Sequence, residues 1–95
     1  MTTYIVLSQL TPQAFSDPKD FKKLARTVSD KIKTECPGVT WKASYATMGR
    51  LDVVDIIECD DPKQVEKAAM LIRSYGKSTT ETLVATPWGE FIDAL

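Results

Sequence analysis

The stretch TMGRLDVVDIIECDD, from Thr47 to Asp61, decides the fold of this chain. It places Gly49 and Arg50 between two runs that are rich in Val, Ile and aromatic residues, and a proline follows its last aspartate. Such runs on either side of a glycine-containing turn predict a β-hairpin, in which Gly49 supplies the positive φ that the turn needs. An aspartate followed by proline is typical of a helix start, so the hairpin leads directly into a helix.

On the N-terminal side of the hairpin the sequence predicts one strand and one helix. Residues 3–10, TYIVLSQL, are largely β-branched and aromatic and predict a strand. Residues 17–36 begin with an Asp-Pro pair and carry apolar residues at spacings of three and four, which predicts an amphipathic helix. Pro37 and Gly38 end that helix.

On the C-terminal side the sequence repeats this design. Residues 62–75 predict a second amphipathic helix, and Gly76 fits the left-handed position that follows a helix. Residues 78–86 predict a threonine-rich strand, and residues 87–95 predict a tail of one or two helical turns. The order β-α-β-β-α-β predicts a single domain, residues 1–95, with a ferredoxin-like α+β sandwich: a four-stranded antiparallel sheet with both helices on one face.

The composition excludes several classes of function. The 95 residues include 12 Lys and Arg, 13 Asp and Glu and no His, for a net charge of -1. Without histidine the chain has no Ser-His or Cys-His pair and none of the usual His-containing zinc, iron or haem sites. The near-neutral charge gives no reason to expect binding to nucleic acid or to an anionic membrane. We expect no metal and no cofactor.

The N-terminus and the two cysteines indicate a cytoplasmic protein. The first residues have no cationic lead and no long apolar run, so they do not resemble a signal peptide, and no run approaches the roughly 18 residues that cross a bilayer. Cys36 and Cys59 make no C-x-x-C motif and no zinc spacing. We expect them to be unpaired thiols at the same end of the sandwich.

The predicted strands are apolar on both sides, which indicates a partner. An antiparallel sheet with one wet face alternates between apolar and polar residues, and these strands do not alternate. A contiguous apolar patch commonly marks an interface. We therefore expect a homodimer, or a larger homo-oligomer, that packs through the open sheet face; the alternative is a monomer whose tail and edge residues complete the cover. The two sides of the third strand read Leu51, Val53, Asp55, Ile57 and Asp52, Val54, Ile56, Glu58.

Four residues near the hairpin are candidates for ligand binding: Trp41, Tyr45, Arg50 and Asp52. Trp41 and Tyr45 are expected on one side of the second strand, where they line an aromatic pocket or pack in the core or at the dimer seam. Arg50 lies in the turn, where it meets an anionic ligand or only solvent. Asp52 either accepts hydrogen bonds from loop N–H groups as a structural latch or serves as a base or cation ligand.

Asp55 is the least expected residue of the hairpin, because it shares a side with Val53 and Ile57. If it is buried, it needs a partner, or desolvation raises its pKa. The candidate partners are Tyr45, Lys42, Arg26 or a group across an interface. The candidate catalytic residues are therefore Asp52, Asp55 and Tyr45, and pairing or edge exposure is the structural alternative for the carboxylates.

The chain resembles the GYD-domain family of small bacterial and archaeal proteins. The resemblance lies in the opening TYIVL, the segment YATMGRLDVVDIIECDD and a threonine-rich last strand that ends near an aromatic residue. The family motif of Gly, spacer, Tyr and Asp corresponds to Gly49, Arg50, Leu51 and Asp52, so Leu51 stands in the tyrosine position. The resemblance implies a ferredoxin-like fold of the dimeric α/β-barrel type and no established activity.

Two functions of different classes fit the sequence. A non-catalytic module that binds a small molecule or a protein, as an accessory or sensor subunit, fits the absence of histidine and the apolar sheet. A cofactor-independent enzyme of the monooxygenase or isomerase type would hold an aromatic or lactone-like substrate between helices and sheet, with Asp52 or Asp55 as base and Tyr45 as donor. The enzyme predicts a closed pocket with an inward carboxylate of raised pKa, and the module predicts a surface groove or no cavity.

Overall fold

The predicted order of elements is confirmed. A computed structural model of the chain describes residues 1–15 and 17–95. The four strands form one antiparallel sheet in the order β2-β3-β1-β4, which is the ferredoxin-like topology. The elements are β1 (Thr2–Leu10), a 3₁₀ turn (Pro12–Phe15), α1 (Pro18–Glu35), β2 (Thr40–Ala46), β3 (Val53–Cys59), α2 (Pro62–Tyr75), β4 (Ser78–Ala85) and α3 (Trp88–Asp93).

Both long helices begin as the Asp-Pro pairs predict. The Asp17 carboxylate accepts a hydrogen bond from the backbone N–H of Lys19 at 2.7 Å, and Asp61 accepts one from Lys63 at 3.0 Å. In each case the proline that follows occupies the first turn, where its missing N–H leaves no hydrogen bond unmade. Two local sequence signals therefore fix where α1 and α2 leave the sheet.

The glycines at the two turns behave differently from one another. Gly49 has φ +128, which confirms its predicted role in the hairpin turn. The prediction for Gly76 is wrong: it has φ -87, and Lys77 takes the left-handed conformation with φ 49. Gly76 is instead required by close packing, because a Cβ there would overlap the Ile72 carbonyl oxygen and lie 3.3 Å from Val28 Cγ2.

A bulge in β2 overturns one predicted face. The pairing with β3 shifts between Trp41 and Ala43, so Trp41 lies opposite Ile57 while Tyr45 lies opposite Val54. Residues directly opposite one another across a ladder share a face of the sheet. Trp41 therefore lies on the helix-covered face and Tyr45 on the open face, whereas strict alternation had placed them together. The extra residue of the bulge is the physical reason, since it reverses the side of every residue beyond it.

The core lies between the sheet and α2. Val6 and Ile57 from the two central strands are 0% exposed. The helix α2 buries five side chains against them, and two of these are alanines, which allow its backbone to approach the sheet closely. By contrast α1, which has 18 residues, buries Ile32 alone. The buried face of α2 consists of Val65, Ala68, Ala69, Leu71 and Ile72.

The two cysteines are buried and unpaired, as the sequence predicts. Burial raises the pKa of the Cys36 thiol, with the Lys67 ammonium opposing that rise. The Cys59 thiol donates to the Asp61 carbonyl oxygen at 3.3 Å, so it joins the end of β3 to the start of α2. Within residues 1–15 and 17–95, no helix has the length and apolar character needed to cross a membrane.

Candidate functional site

A cavity of about 600 Å³ lies where α1 stands away from the sheet. Apolar side chains of α1 form one wall, and the floor comes from the helix-covered face of β1, β2 and β3. Its volume falls in the range of small-molecule sites, which are lined mostly by apolar groups with a few polar ones. The apolar wall includes Phe21, Leu24, Val28, Ile32, Val39 and Ile72.

Asp55 lies on the floor of this cavity and is 6% exposed. Burial raises the pKa of its carboxyl group, and the Ser44 hydroxyl and the Trp41 indole N–H oppose part of that rise. Ser44 lies directly across the ladder from Asp55, and Trp41 Nε1 donates to Ser44 Oγ at 2.6 Å. Both donors act on the Asp55 carboxyl group from β2, and donors of this kind favour its charged form.

Ser8 supplies a second polar group to the same floor. It is 2% exposed and lines the cavity from β1, diagonally across the ladder from Asp55. Among the described residues, none makes a hydrogen bond with Ser8 Oγ. A buried hydroxyl without a partner is costly, so this oxygen is a free hydrogen-bonding position in an otherwise apolar space.

The structure separates the residues that the sequence analysis had grouped. Trp41 and Asp55 line the cavity, and Tyr45, Arg50 and Asp52 do not. Tyr45 is 58% exposed on the open face, and Arg50 is exposed in the hairpin turn. Asp55 and Tyr45 therefore do not share a site as base and donor, because they lie on opposite faces of the sheet.

Asp52 joins the hairpin to β1 by hydrogen bonds. Its carboxylate accepts from the backbone N–H of Leu10 at 2.8 Å, and its own N–H donates to the Ser8 carbonyl oxygen at 2.9 Å. These contacts correspond to the structural alternative for Asp52, the latch. They also fix the backbone of Ser8, so Asp52 holds one edge of the cavity floor without lining the cavity.

The partners of Asp55 that were predicted within the chain, Tyr45, Lys42 and Arg26, are wrong. Lys42 pairs with Glu58, with 3.6 Å between Lys42 Nζ and Glu58 Oε1. Arg26 is exposed on α1. The groups that act on Asp55 are Ser44 and Trp41, and strict alternation along β2 cannot put both on one face because they are three residues apart. Ser8 was also missed, although its position two residues after Val6 places it on the buried side of β1.

The open face of the sheet is a second candidate surface. We use the term open face for the apolar side chains that point away from the helices. Ile5 lies opposite Ile56 and Leu83, and Leu7 lies opposite Val54, so they form a continuous patch. These central side chains are half-buried, and Leu83 is 41% exposed. The open face consists of Ile5, Leu7, Tyr45, Val54, Ile56 and Leu83.

The C-terminal helix α3 adds a third apolar surface. Trp88 and Phe91 pack on one another, with 5.9 Å between ring centroids, and no residue of this helix is buried. Trp88 is 75% exposed, and Leu95, just beyond the helix, is 87% exposed. Two exposed aromatic rings on one short helix give this surface the composition of a contact region.

A family model matches nearly the whole of this chain. The model of the GYD domain matches residues 4–95. The chain belongs to the GYD-domain family. The match takes in all four strands and both long helices, so the resemblance at the hairpin extends to the complete fold.

One relative and two solved structures are similar to this chain. The "Glutamine synthetase and cystathionine beta-lyase binding protein" of Thermus thermophilus is 32% identical over 95 residues, which cover 100% of this chain and 99% of that protein. The crystal structure of FFRP-DM1 has 21% identity and a TM-score of 0.51 over 90% of this chain and 100% of that chain. The de novo designed protein Foldit4 has 17% identity and a TM-score of 0.52 over 90% of this chain and 96% of that chain. The two structures support the fold alone.

Proposed function

We propose that this GYD-domain protein is a non-catalytic interaction module that forms a homodimer through the open face and binds a partner enzyme. The observation that carries this proposal is the aromatic surface of α3, where the side chains of Trp88 and Phe91 are exposed to solvent. Aromatic side chains are enriched among the residues that dominate protein–protein binding. The name of the Thermus thermophilus relative, which binds two enzymes, supports the same class of function.

The two apolar surfaces have separate roles in this proposal. The open face is apolar at the centre of both central strands, which suits a symmetric contact with a second copy. The helix α3 follows β4 and has no buried residue, so its rings are available to another protein. A dimer would then display two copies of α3, which raises the apparent affinity for an oligomeric enzyme.

The experiment measures binding of the full chain to the glutamine synthetase and the cystathionine β-lyase of its own organism. The double variant Trp88→Ala, Phe91→Ala is expected to lose about tenfold or more in affinity, since truncating central aromatic contacts typically costs ~2 kcal/mol or more. Met48→Ala is the control, because Met48 is 100% exposed in the hairpin turn, away from α3. Circular dichroism establishes that each variant is folded.

Three results would contradict this proposal. Neither enzyme binds the unmodified chain, or the α3 double variant binds as well as the unmodified chain, or Met48→Ala weakens binding as much as the double variant does. The first result removes the partner class, and the other two remove α3 as the contact region.

The cavity provides a specific observation in favour of the second function, an enzyme. It encloses an inward carboxyl group, Asp55, of raised pKa, which is the feature that the sequence analysis assigns to the enzyme and not to the module. The enzyme hypothesis pairs such a base with Tyr45 as the proton donor. Tyr45, the donor that the enzyme hypothesis requires, lies on the other face of the sheet, so we favour binding over catalysis in this cavity.

A further inference from the structure

The cavity beneath α1 has the features of a built site that is separate from the contact surfaces above. Its polar floor combines an acceptor, the Asp55 carboxyl group, with the free hydroxyl of Ser8, and both residues are more than nine-tenths buried. The remaining walls are mostly apolar. A space of about 600 Å³ in a 95-residue chain is also much larger than the voids of a close-packed interior.

Among the described residues, none places a positive charge beside the Asp55 carboxyl group. Among the described residues that line the cavity, Lys33 of α1 is the one cationic side chain, and it is exposed and does not form a salt bridge with Asp55. The other titratable lining group is the buried Cys36 thiol, also on the α1 side. The lining residues of β1, β4 and α2 are uncharged. A buried carboxylate without a cation beside it is destabilised, and a ligand that brings the cation removes that cost.

We propose that this cavity binds an apolar primary amine, whose ammonium group donates hydrogen bonds to Asp55 and Ser8 while its hydrocarbon body packs beneath α1. The Ser44 hydroxyl and the Trp41 indole N–H act on Asp55 from β2 and favour its charged form. The carboxylate then accepts hydrogen bonds from the ammonium group. An ammonium group has three donors, and the floor offers the carboxylate oxygens and one hydroxyl oxygen to receive them. The inference goes beyond the proposed function and does not depend on it.

The same charges select against other ligands with the same body. A carboxylate ligand would place a second negative charge beside Asp55 in an apolar space, which is strongly unfavourable. An alcohol would keep a hydrogen bond but would leave the carboxylate without a counter-charge. The order of affinity is therefore amine, then alcohol, then carboxylate, for one constant hydrocarbon group.

The experiment uses fluorescence from Trp41, which lines the cavity. The chain has two tryptophans, so the full-length variant Trp88→Phe leaves Trp41 as the single reporter. This protein is titrated with 4-phenylbutylamine, 4-phenylbutanol and 5-phenylpentanoate, which share one phenylbutyl group and differ only in the polar end. The amine is expected to bind at least about tenfold more tightly than the alcohol, which corresponds to ~1.4 kcal/mol for the ion pair, and the carboxylate is expected to bind more weakly than both.

Two variants in the Trp88→Phe protein assign the effect to Asp55. Asp55→Asn keeps the shape and removes the charge, and it is expected to lower the affinity for the amine at least about tenfold. Glu58→Gln is the matched control, because Glu58 is on the same strand but its side chain is on the open face, and it is expected to leave amine binding unchanged. In the protein with both carboxylates intact, amine affinity is expected to fall as the pH is lowered from about 7 to about 4, because protonation removes the charge on Asp55.

Each of four results would overturn the inference. The amine does not bind, or the alcohol binds as tightly as the amine, or Asp55→Asn retains the affinity, or Glu58→Gln loses as much as Asp55→Asn. If Asp55→Asn does not fold, the comparison of the three ligands and the pH series in the protein with Asp55 intact decide the question. None of these measurements involves a partner enzyme, so failure here leaves the proposed function standing.

Discussion

The two faces of the sheet carry similar side chains and have different surroundings. Ile57 and Ile56 are neighbours in β3, yet Ile57 is 0% exposed beneath the helices while Ile56 is half-buried on the open face. The same contrast separates Val6 from Ile5 and Leu7 in β1. The two long helices cover one face only, and in the proposed dimer a second copy covers the apolar side chains of the other face.

The covered face itself divides into two parts. Beneath α2 the packing is close, because Ala68 and Ala69 are small and let the helix approach the sheet. Beneath α1 one residue, Ile32, is buried and a cavity remains. One helix therefore stabilises the domain, and the other leaves room for a ligand.

The largest expected effect on stability comes from a comparison of two single variants, Ile57→Ala and Ile56→Ala. Removing Ile57 leaves a cavity in the core and should lower the free energy of unfolding by about 2–5 kcal/mol at every protein concentration. Removing Ile56 should have a much smaller effect on the isolated chain and should act mainly on the dimer, which makes the apparent stability depend on concentration. Urea unfolding at a low and a high protein concentration measures both effects. Equal losses for the two variants at low concentration would remove the distinction between the faces.

A smaller effect should separate the two helices when the same substitution is made in each. Ala68→Leu overpacks the closely packed interface beneath α2 and should cost about 1–3 kcal/mol. Ala25→Leu adds the same atoms to a residue that lines the cavity beneath α1, where space is available, so its effect should stay within about 0.5 kcal/mol. Thermal and urea unfolding of the two variants test this contrast, and a cost for Ala25→Leu as large as that for Ala68→Leu would show that α1 is packed as closely as α2.

The smallest expected effect is a pH dependence that belongs to Asp55. Its pKa is raised in the folded chain above the ordinary value of 3.8 because of burial. Between the unfolded and the folded pKa the folded chain holds more protons, so the contribution of Asp55 to the free energy of unfolding falls as the pH rises through that interval. Asp55→Asn removes this contribution. The stability of the variant relative to the unmodified chain should therefore increase as the pH is raised from 3.8 toward neutrality, and parallel curves over that range would contradict a buried, uncompensated carboxyl group.

The fold was predictable because each element carries its own local signal. The Asp17 and Asp61 caps, the prolines that follow them and the two-sided apolar strands were sufficient for the element order and the sheet. The oddity of Asp55 was also visible in the sequence, since a carboxylate between Val53 and Ile57 on one side of a strand requires an explanation.

The site was less predictable for two physical reasons. A single extra residue in the β2 bulge exchanges the faces of Trp41 and Tyr45, and no local pattern in KASYA marks that bulge. The cavity depends on how far α1 stands from the sheet, which is a property of tertiary packing and not of the periodicity of α1. The buried position of Ser8 was predictable, because it alternates with Val6 in β1. Its role in the site was not, because that role depends on Asp55 in the neighbouring strand.

The sedimentation of the unmodified chain at micromolar concentration tests the central claim most directly. A chain of 10.6 kDa whose open face is covered by a second copy should sediment as a particle of twice that mass, and Ile56→Lys should return it to the single mass. Sedimentation of the unmodified chain as a 10.6 kDa particle alone would contradict the account.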